Sequence, residues 1–141
     1  MTDKRVVLLT CGSEEEASRI ARALVEERLA ACVNIVDTPV RSVYRWKGRV
    51  ERAVEHLLLV KTRRGRLKAL EAAVKRLHSY ETPEIIALPV AEGSGQYLAW
   101  VEECVRPPGA RRPPRAQRGL SSRTDRTPSS RTKRGLYLSR G

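Results

Sequence analysis

Residues 78–85 read HSYETPEI and bring an imidazole, a phenol and two carboxylates together within seven positions. These groups belong to His78, Tyr80, Glu81 and Glu84. Imidazole and carboxylate groups bind first-row transition metals well, and a cysteine thiolate would add a soft ligand. The same groups could also bind an anion, act as general acid and base, or form a polar turn. Because the spacing matches no compact metal motif, the residues alone favour the turn and leave the other functions open.

The elements around this segment fix its place in the fold. A helix is predicted before it by apolar side chains at helical spacing: Leu67, Leu70, Val74 and Leu77. Thr62 can cap the start of that helix, and Pro83 disfavours helix at Thr82. Residues 85–90 then form an apolar strand, which Pro89 places at a sheet edge or at its own end.

The rest of the first 105 residues alternates between strand and helix patterns. Residues 5–11 are a continuous apolar strand, and Ser13 with Glu16 forms a capping box for a helix over 14–29. Further strands are predicted at 30–36, 40–46 and 50–62, with a tight turn at Lys47-Gly48 and a short helix after Ser94. This order predicts an α+β fold, a ferredoxin-like βαββαβ sandwich with a long projecting hairpin and a short C-terminal helix. The helices cover one sheet face, and self-association is the simplest way to cover the other face and the hairpin edges.

The positive charge is concentrated at one end of the chain. Residues 1–105 hold 17 Lys and Arg against 15 Asp and Glu, whereas residues 106–141 hold 11 against one. We therefore predict a nearly neutral ferredoxin-like domain over 1–105 and a basic tail over 106–141 that is too poor in apolar residues to fold. The tail is the one segment that could bind nucleic acid, through its arginines, but a passive extension is the favoured interpretation.

Several classes of protein are not indicated. No segment approaches the roughly 20 apolar residues of a membrane span, and residues 6–9 are too short for a signal peptide, so we expect a cytoplasmic protein without a membrane partner. The three cysteines, Cys11, Cys32 and Cys104, form no CxxC pair and indicate neither disulfides nor structural zinc. Because no nucleophile–base pair or Gly-rich phosphate loop stands out, an enzyme is not expected.

Five separated segments together resemble the CutA family of divalent-cation tolerance proteins. They occur in the family's order over residues 5–105, and they are Ala31-Cys32-Val33-Asn34-Ile35, Ser42-Val43-Tyr44-Arg45-Trp46-Lys47-Gly48, Leu59-Val60-Lys61-Thr62, His78-Ser79-Tyr80-Glu81-Thr82-Pro83-Glu84-Ile85 and Tyr97-Leu98-Ala99-Trp100. Ser79 departs from the proline that family members often carry there. The resemblance implies a homotrimer of ferredoxin-like subunits, similar in build to PII-type signalling trimers, and a link to copper and other divalent ions.

The resemblance also implies a set of site residues around a cleft between subunits. Cys32 and His78 become candidate metal ligands, and the remaining candidates for the cleft are Trp46, Glu55, Lys61, Tyr80, Glu81 and Glu84. No cofactor is obligatory, and copper(II) or another divalent cation is the expected ligand. The alternative is a PII-like module that binds a small anionic metabolite, with Lys61 as the cation. Each residue also has a structural interpretation: Cys32 as a core side chain, Trp46 as an interface anchor, and Glu55 with Lys61 as members of surface ion pairs. His56 should face away from Glu55 and is a weaker candidate.

Overall fold

The computed structural model describes residues 1–112 and residue 114. Within these residues five strands and three helices follow one another, with a 3₁₀ turn at Arg64–Arg66 before the second helix. The elements are β1 (Lys4–Cys11), α1 (Glu14–Glu26), β2 (Cys32–Ile35), β3 (Val40–Trp46), β4 (Arg49–Arg63), α2 (Leu67–Leu77), β5 (Ile85–Pro89) and α3 (Gly95–Cys104). Residues Met1–Ala110 form one compact unit.

The sheet is antiparallel, with the strand order β2-β4-β1-β5 and with β3 paired to the outer part of β4. This order and the helices confirm the ferredoxin-like fold. The β3–β4 turn is tight because Lys47 and Gly48 both have positive φ, 48° and 77°, as the favoured two-residue hairpin turns require. β5 is an edge strand, which is where the sheet can accept Pro89.

The two faces of the sheet differ in what covers them. The helix face packs against α1 and α2 and carries Val7, Leu9, Cys11, Leu58 and Val60, all fully buried. The open face carries the alternate residues of the same strands: Val6, Leu8, Thr10, Leu57, Leu59 and Lys61. The helix face therefore holds the hydrophobic core, and alternation along each strand assigns every side chain to one face or the other.

Helix α3 covers only one end of the open face. Glu102 on this helix accepts hydrogen bonds from Lys4 Nζ at 2.8 Å and Arg63 Nη1 at 2.9 Å. Beyond it, Ile86 and Leu88 are 47% and 45% exposed, and so are many apolar side chains of the hairpin. The exposed apolar residues of the hairpin are Val43, Tyr44, Trp46, Val50 and Val54.

Two local predictions need correction. Thr62 does not cap α2: it lies within β4, fully buried, and its hydroxyl donates to the Leu29 carbonyl at 2.7 Å. α2 begins five residues later, at Leu67, after the 3₁₀ turn. α1 ends at Glu26 rather than at residue 29, because Arg28 adopts a left-handed φ of 58° that stops the helix.

None of the helices in the described part of the chain is long and apolar enough to cross a membrane. Most of the basic tail predicted over 106–141 lies outside the described residues. Its disorder and its nucleic-acid binding therefore stay predictions.

Candidate functional site

The candidate site begins where β1 extends past its partner strand. β5 first pairs with β1 at Leu9↔Ile85, so Thr10 has no strand beside it on that side. His78, directly after α2, takes that place: its Nε2 lies 2.7 Å from the Thr10 carbonyl oxygen. HSYETPEI is therefore a helix stop, and its histidine also completes the hydrogen bonding at the end of β1.

The hydrogen bonds of His78 define its tautomer. A carbonyl oxygen can only accept, so Nε2 must carry the proton that it donates to Thr10. Nδ1 accepts the backbone N–H of Tyr80 at 3.0 Å and therefore has no proton. The imidazole is neutral, its side chain is completely buried, and both ring nitrogens are in use.

Two further metal-ligating groups lie next to this imidazole on the helix face. The donor atoms of Cys11, Glu16 and His78 all lie within 4.8 Å of one another, and all three residues are buried. Glu16 Oε1 is 3.4 Å from His78 Nδ1 and has no hydrogen-bond partner, while Arg19 is 3.9 Å from the other carboxylate oxygen. We call these three residues the Cys11 cluster.

The surroundings of the cluster keep its thiol protonated. Burial raises the pKa of Cys11 to about 12, and the carboxylates of Glu16 and Glu55 add to that shift. A thiol in this state is a poor nucleophile, because reactivity requires the thiolate. The cluster is therefore a buried group of neutral sulfur and nitrogen beside an unpartnered carboxylate oxygen.

A cavity of about 690 Å³ opens on the other side of the same turn. Its walls come from β1, the β3–β4 hairpin and the segment after His78. The lining residues are Thr10, Ser42, Val43, Tyr44, Trp46, Glu55, Tyr80, Glu81, Thr82, Pro83 and Glu84. We call it the Glu55 cavity after its buried carboxylate, which is 7% exposed.

Tyr80 joins the cavity to the Cys11 cluster. Its ring packs against the His78 imidazole with centroids 4.7 Å apart, and its hydroxyl hydrogen-bonds to Glu55. Burial and the neighbouring Glu55 carboxylate raise the pKa of Tyr80 to about 12. The phenol therefore stays neutral, donates to Glu55, and holds that carboxylate at the cavity wall.

Most of the candidate residues from the sequence come together here. Five of them, Trp46, Glu55, Tyr80, Glu81 and Glu84, line the cavity, and His78 is buried beside it. His56 pairs with Cys11 on the helix face, so the expectation that it faces away from Glu55 is confirmed.

Cys32 and Lys61 do not join the other candidates within one subunit. The two residues are cross-strand partners on the open face. Lys61 lies four residues along β4 from Leu57, the partner of Thr10, a separation of about 13 Å at the usual rise per residue. Within one subunit the thiol beside His78 is therefore that of Cys11, and a meeting of Cys32 and His78 across a cleft between subunits stays a prediction.

Two members of the Cys11 cluster were not among the candidates predicted from the sequence. The sequence placed Cys11 at the end of an apolar strand and Glu16 in a capping box, with no site role for either. The Ser13 hydroxyl does accept the Glu16 N–H at 3.2 Å, but the Glu16 side chain is buried against His78. A carboxylate that is 8% exposed in the first turn of a helix is unusual, yet nothing in the local sequence signals its burial.

Fold and site together define a class: a ferredoxin-like subunit with a projecting hairpin, a buried Cys–Glu–His cluster and an acidic, aromatic cavity beside it. The sequence model of a family described as CutA1 divalent ion tolerance protein matches residues 5–104. This chain belongs to the CutA family.

Individual relatives agree with this assignment. The chain is similar to the divalent-cation tolerance protein CutA of Thermus thermophilus, with 56% identity over 100 residues that cover 71% of this chain and 96% of the relative. It is 46% identical to the mouse protein CutA over 95 residues, but this match spans only 53% of the mouse protein.

Solved structures give the same result. The Thermus thermophilus structure superposes with a TM-score of 0.71 at 54% identity and covers 73% of this chain and 99% of that one. A structure described as the periplasmic divalent cation tolerance protein CutA from Archaeoglobus fulgidus superposes with a TM-score of 0.70 at 42% identity, again covering 73% and 99%. Since that relative is described as periplasmic, the cytoplasmic location expected here stays a prediction.

Proposed function

We propose that this protein is a homotrimeric divalent-cation tolerance protein that binds a divalent metal ion, copper first, at the Cys11 cluster. The observation that carries the proposal is the unpartnered Glu16 Oε1, which lies 3.4 Å from His78 Nδ1. Both atoms present lone pairs, and His78 Nδ1 is held in that form by the Tyr80 N–H. These lone pairs repel each other, and leaving the buried Glu16 oxygen without a partner is costly. A cation shared between the two atoms would replace the repulsion with attraction.

The donor set also fits the proposed ion. It offers one nitrogen, one sulfur and one oxygen, a mixed set for which copper(II) stands highest among the divalent first-row metals. Cys11 would have to bind as its thiolate, so binding would release a proton against the raised pKa of the buried thiol. The Tyr80 N–H would have to release His78 Nδ1, which links metal binding to the turn after α2.

Calorimetric titration of copper(II) into single variants tests the metal site. His78→Ala should weaken binding much more than His56→Ala, since His56 is on the helix face but outside the cluster. Cys11→Ser should likewise weaken it more than Cys32→Ser, because Cys32 lies at the other end of the open face. Equal affinities within either pair would show that the metal binds elsewhere.

The trimer is proposed because of the uncovered apolar surface. Trp46 and Tyr44 are both 44% exposed, and Val43 near the hairpin tip is 68% exposed. Aromatic side chains concentrate at protein–protein interfaces, and a neighbouring subunit would also cover the exposed part of the open face. We expect each hairpin to pack against a neighbouring subunit.

Native mass spectrometry of the full chain, with and without added divalent ions, reports both the subunit count and the bound mass. Trp46→Ala should cost the assembly a few kcal/mol, about as much as truncating a large core side chain. It should therefore move the chain toward monomer at micromolar concentration. A wild-type chain that is monomeric at that concentration would contradict the trimer.

The PII-like alternative is not favoured by this geometry. An anionic metabolite was expected to pair with Lys61, but Lys61 does not line the Glu55 cavity, whose walls carry three carboxylic side chains. The proposed function assigns no reaction to the protein. The basic tail keeps its own test: deletion of residues 106–141 should abolish any salt-dependent affinity for nucleic acid.

A further inference from the structure

Four cationic side chains lie together at the end of the compact unit opposite the hairpin turn, and neither the metal nor the trimer uses them. They are Arg28, Arg64, Arg66 and Lys68, and we call them the basic end. We propose that the basic end binds the phosphate backbone of nucleic acid and adds fixed contacts on the folded domain to those of the basic tail. This inference is independent of the metal at the Cys11 cluster, and either can fail without the other.

The fold brings these four residues to one place from two separate segments. Arg64 and Arg66 belong to the 3₁₀ turn between β4 and α2, and Lys68 is the second residue of α2. Arg66 Nε donates to the backbone carbonyl of Arg28 at 3.4 Å, which joins this turn to the segment after α1. Residues 38 positions apart in the sequence are therefore neighbours on the surface.

The acidic side chains on the α1 side of the basic end are paired with other cations. Glu26 Oε1 accepts a hydrogen bond from Arg22 Nε at 2.7 Å. Glu27 Oε1 accepts one from Arg76 Nη2 at 3.0 Å. The two carboxylates that directly precede Arg28 in the chain are therefore occupied by arginines outside the basic end.

The acidic side chains on the β4 side are paired as well. The backbone N–H of Arg64 donates to the Asp3 carbonyl at 2.7 Å, which places Asp3 beside the basic end, but the Asp3 carboxylate pairs with Lys4. Glu102 pairs with Lys4 and with Arg63. Among the residues that the structure describes, no ion pair joins a carboxylate to any side chain of the basic end. Its positive charge is therefore not neutralised locally.

The surfaces proposed for the trimer lie elsewhere on the subunit. Three of the four side chains of the basic end are exposed and the fourth is half-buried. β4 has 15 residues from the hairpin turn to Arg63, a length of about 46 Å at the usual rise per residue. The basic end also belongs to the layer of α1 and α2, whereas the trimer is proposed to use the hairpin and the open face. Trimer formation therefore does not require these side chains.

Nucleic acid suits this surface because its backbone carries closely spaced phosphates. Arginine and lysine bind phosphate oxygens, and each contact releases condensed counterions. Residues 106–141 of the same chain hold 11 Lys and Arg against one Asp. Two weak cationic segments on one chain bind one polyanion more tightly than either does alone. An anionic lipid surface is less suitable, because binding in the lipid interface usually buries apolar side chains and residues 63–68 expose no large one.

Fluorescence anisotropy of a labelled DNA duplex of about 20 base pairs, titrated with the full chain in chelator at several salt concentrations, tests the proposal. Each phosphate contact contributes about 0.9 to the slope of log K against log salt concentration. Lys68→Gln should therefore lower the magnitude of that slope by about 1, and Arg64→Gln combined with Lys68→Gln by about 2. Lys75→Gln is the matched control, since it removes the same charge from an exposed position two turns further along α2 and should leave the slope unchanged.

Melting curves check that these surface variants fold, and vesicles that contain phosphatidylserine distinguish nucleic acid from lipid. The duplex should bind more tightly than the vesicles. The proposal is overturned if the full chain does not bind the duplex at about 50 mM salt, where phosphate contacts are strong. It is also overturned if Lys68→Gln and Lys75→Gln give the same slope, or if the vesicles bind more tightly than the duplex. Deletion of the tail is read separately, because it reports the contacts of residues 106–141 and not those of the basic end.

Discussion

Thr10 and Cys11 are consecutive residues that lie in two different environments. Cys11 faces the helices and belongs to a buried cluster of sulfur, nitrogen and carboxylate, while Thr10 lines the Glu55 cavity. The turn after α2 also contributes to both environments: His78 is buried in the cluster, and Tyr80, two residues later, lines the cavity. Two sites of different chemistry are thus built back to back on the same few elements.

The difference between the faces follows from what covers them. The helix face is sealed by α1 and α2, so its polar groups must bond to one another or remain unpaired. Among the described residues no helix covers the open face at this end, and the Glu81 and Glu84 carboxylates are exposed there. A soft-donor metal site suits the first environment.

The largest expected effect tests whether the two faces really differ in burial. Leu58→Ala removes a fully buried side chain from the helix face and should lower the free energy of unfolding by about 2–5 kcal/mol. Leu88→Ala on the open face, where the side chain is 45% exposed, should cost less and depend on protein concentration, because in the proposed trimer a neighbouring subunit covers it. Denaturant titrations at two protein concentrations make the measurement.

If both variants lose the same free energy of unfolding at both protein concentrations, the two faces do not differ in burial. The open face would then be as well covered within one subunit as the helix face is. If the loss of unfolding free energy for Leu88→Ala disappears when the protein is diluted to the monomer, the open face is covered only by a neighbouring subunit.

A second effect concerns alkaline pH. The pKa of Cys11 rises from 9.0 to about 12 in the fold, and that of Tyr80 rises from 10.0 to about 12. The folded state therefore keeps protons that the unfolded chain releases, and the resulting stability is complete below pH 9 and lost as the pH rises toward 12. Cys11 acts first, because its unfolded pKa is the lower of the two.

Melting temperatures of wild type and Cys11→Ser at pH 8 and pH 10 check this sign. Serine does not titrate in that range, so the variant should lose less stability between the two values than wild type does. Cys104→Ser is the control: burial raises that thiol's pKa as well, but it lies outside the cluster and is only half-buried. If the melting temperatures of wild type and Cys11→Ser fall by the same amount between pH 8 and pH 10, the cluster is open to water. The two faces then differ less in burial than the geometry indicates.

The smallest effect probes the contact between the two sites. A Cβ on Gly12 would lie 2.9 Å from the Tyr80 hydroxyl oxygen, so Gly12→Ala must displace the side chain that holds Glu55. We expect a loss of about 1 kcal/mol, at the low end for overpacking, because a side-chain terminus can shift. In a Tyr80→Phe background the same change should be nearly neutral.

A double-mutant cycle of thermal unfolding measures this coupling. Gly95→Ala serves as the control, since a Cβ there meets nothing within 4 Å. If Gly12→Ala costs the same with and without the phenol oxygen, Tyr80 does not link the cavity to the strand end.

Much of the fold could be predicted because its signals are local. Alternation, the Lys47-Gly48 turn and the capping serine Ser13 each depend on a few neighbouring residues, and the structure confirms all three. Thr62 was assigned wrongly because a threonine after a strand looks like a cap, whereas its real partner is the carbonyl of Leu29, 33 residues earlier. A pattern of neighbouring residues cannot reveal a hydrogen-bond partner that is 33 residues away.

The candidate site divides in the same way. The sequence determined that HSYETPEI ends a helix and carries polar chemistry, and that Glu55 and His56 face opposite sides of one strand. Only the tertiary structure decided which thiol lies beside His78. The β1–β4 register places Cys11 opposite His56, and the β2–β4 register moves Cys32 along to Lys61. The physical reason is that alternation along a strand assigns a side chain to a face, whereas long-range strand pairing sets its level along the sheet. Two groups can share a ligand only when they lie on the same face and at the same level.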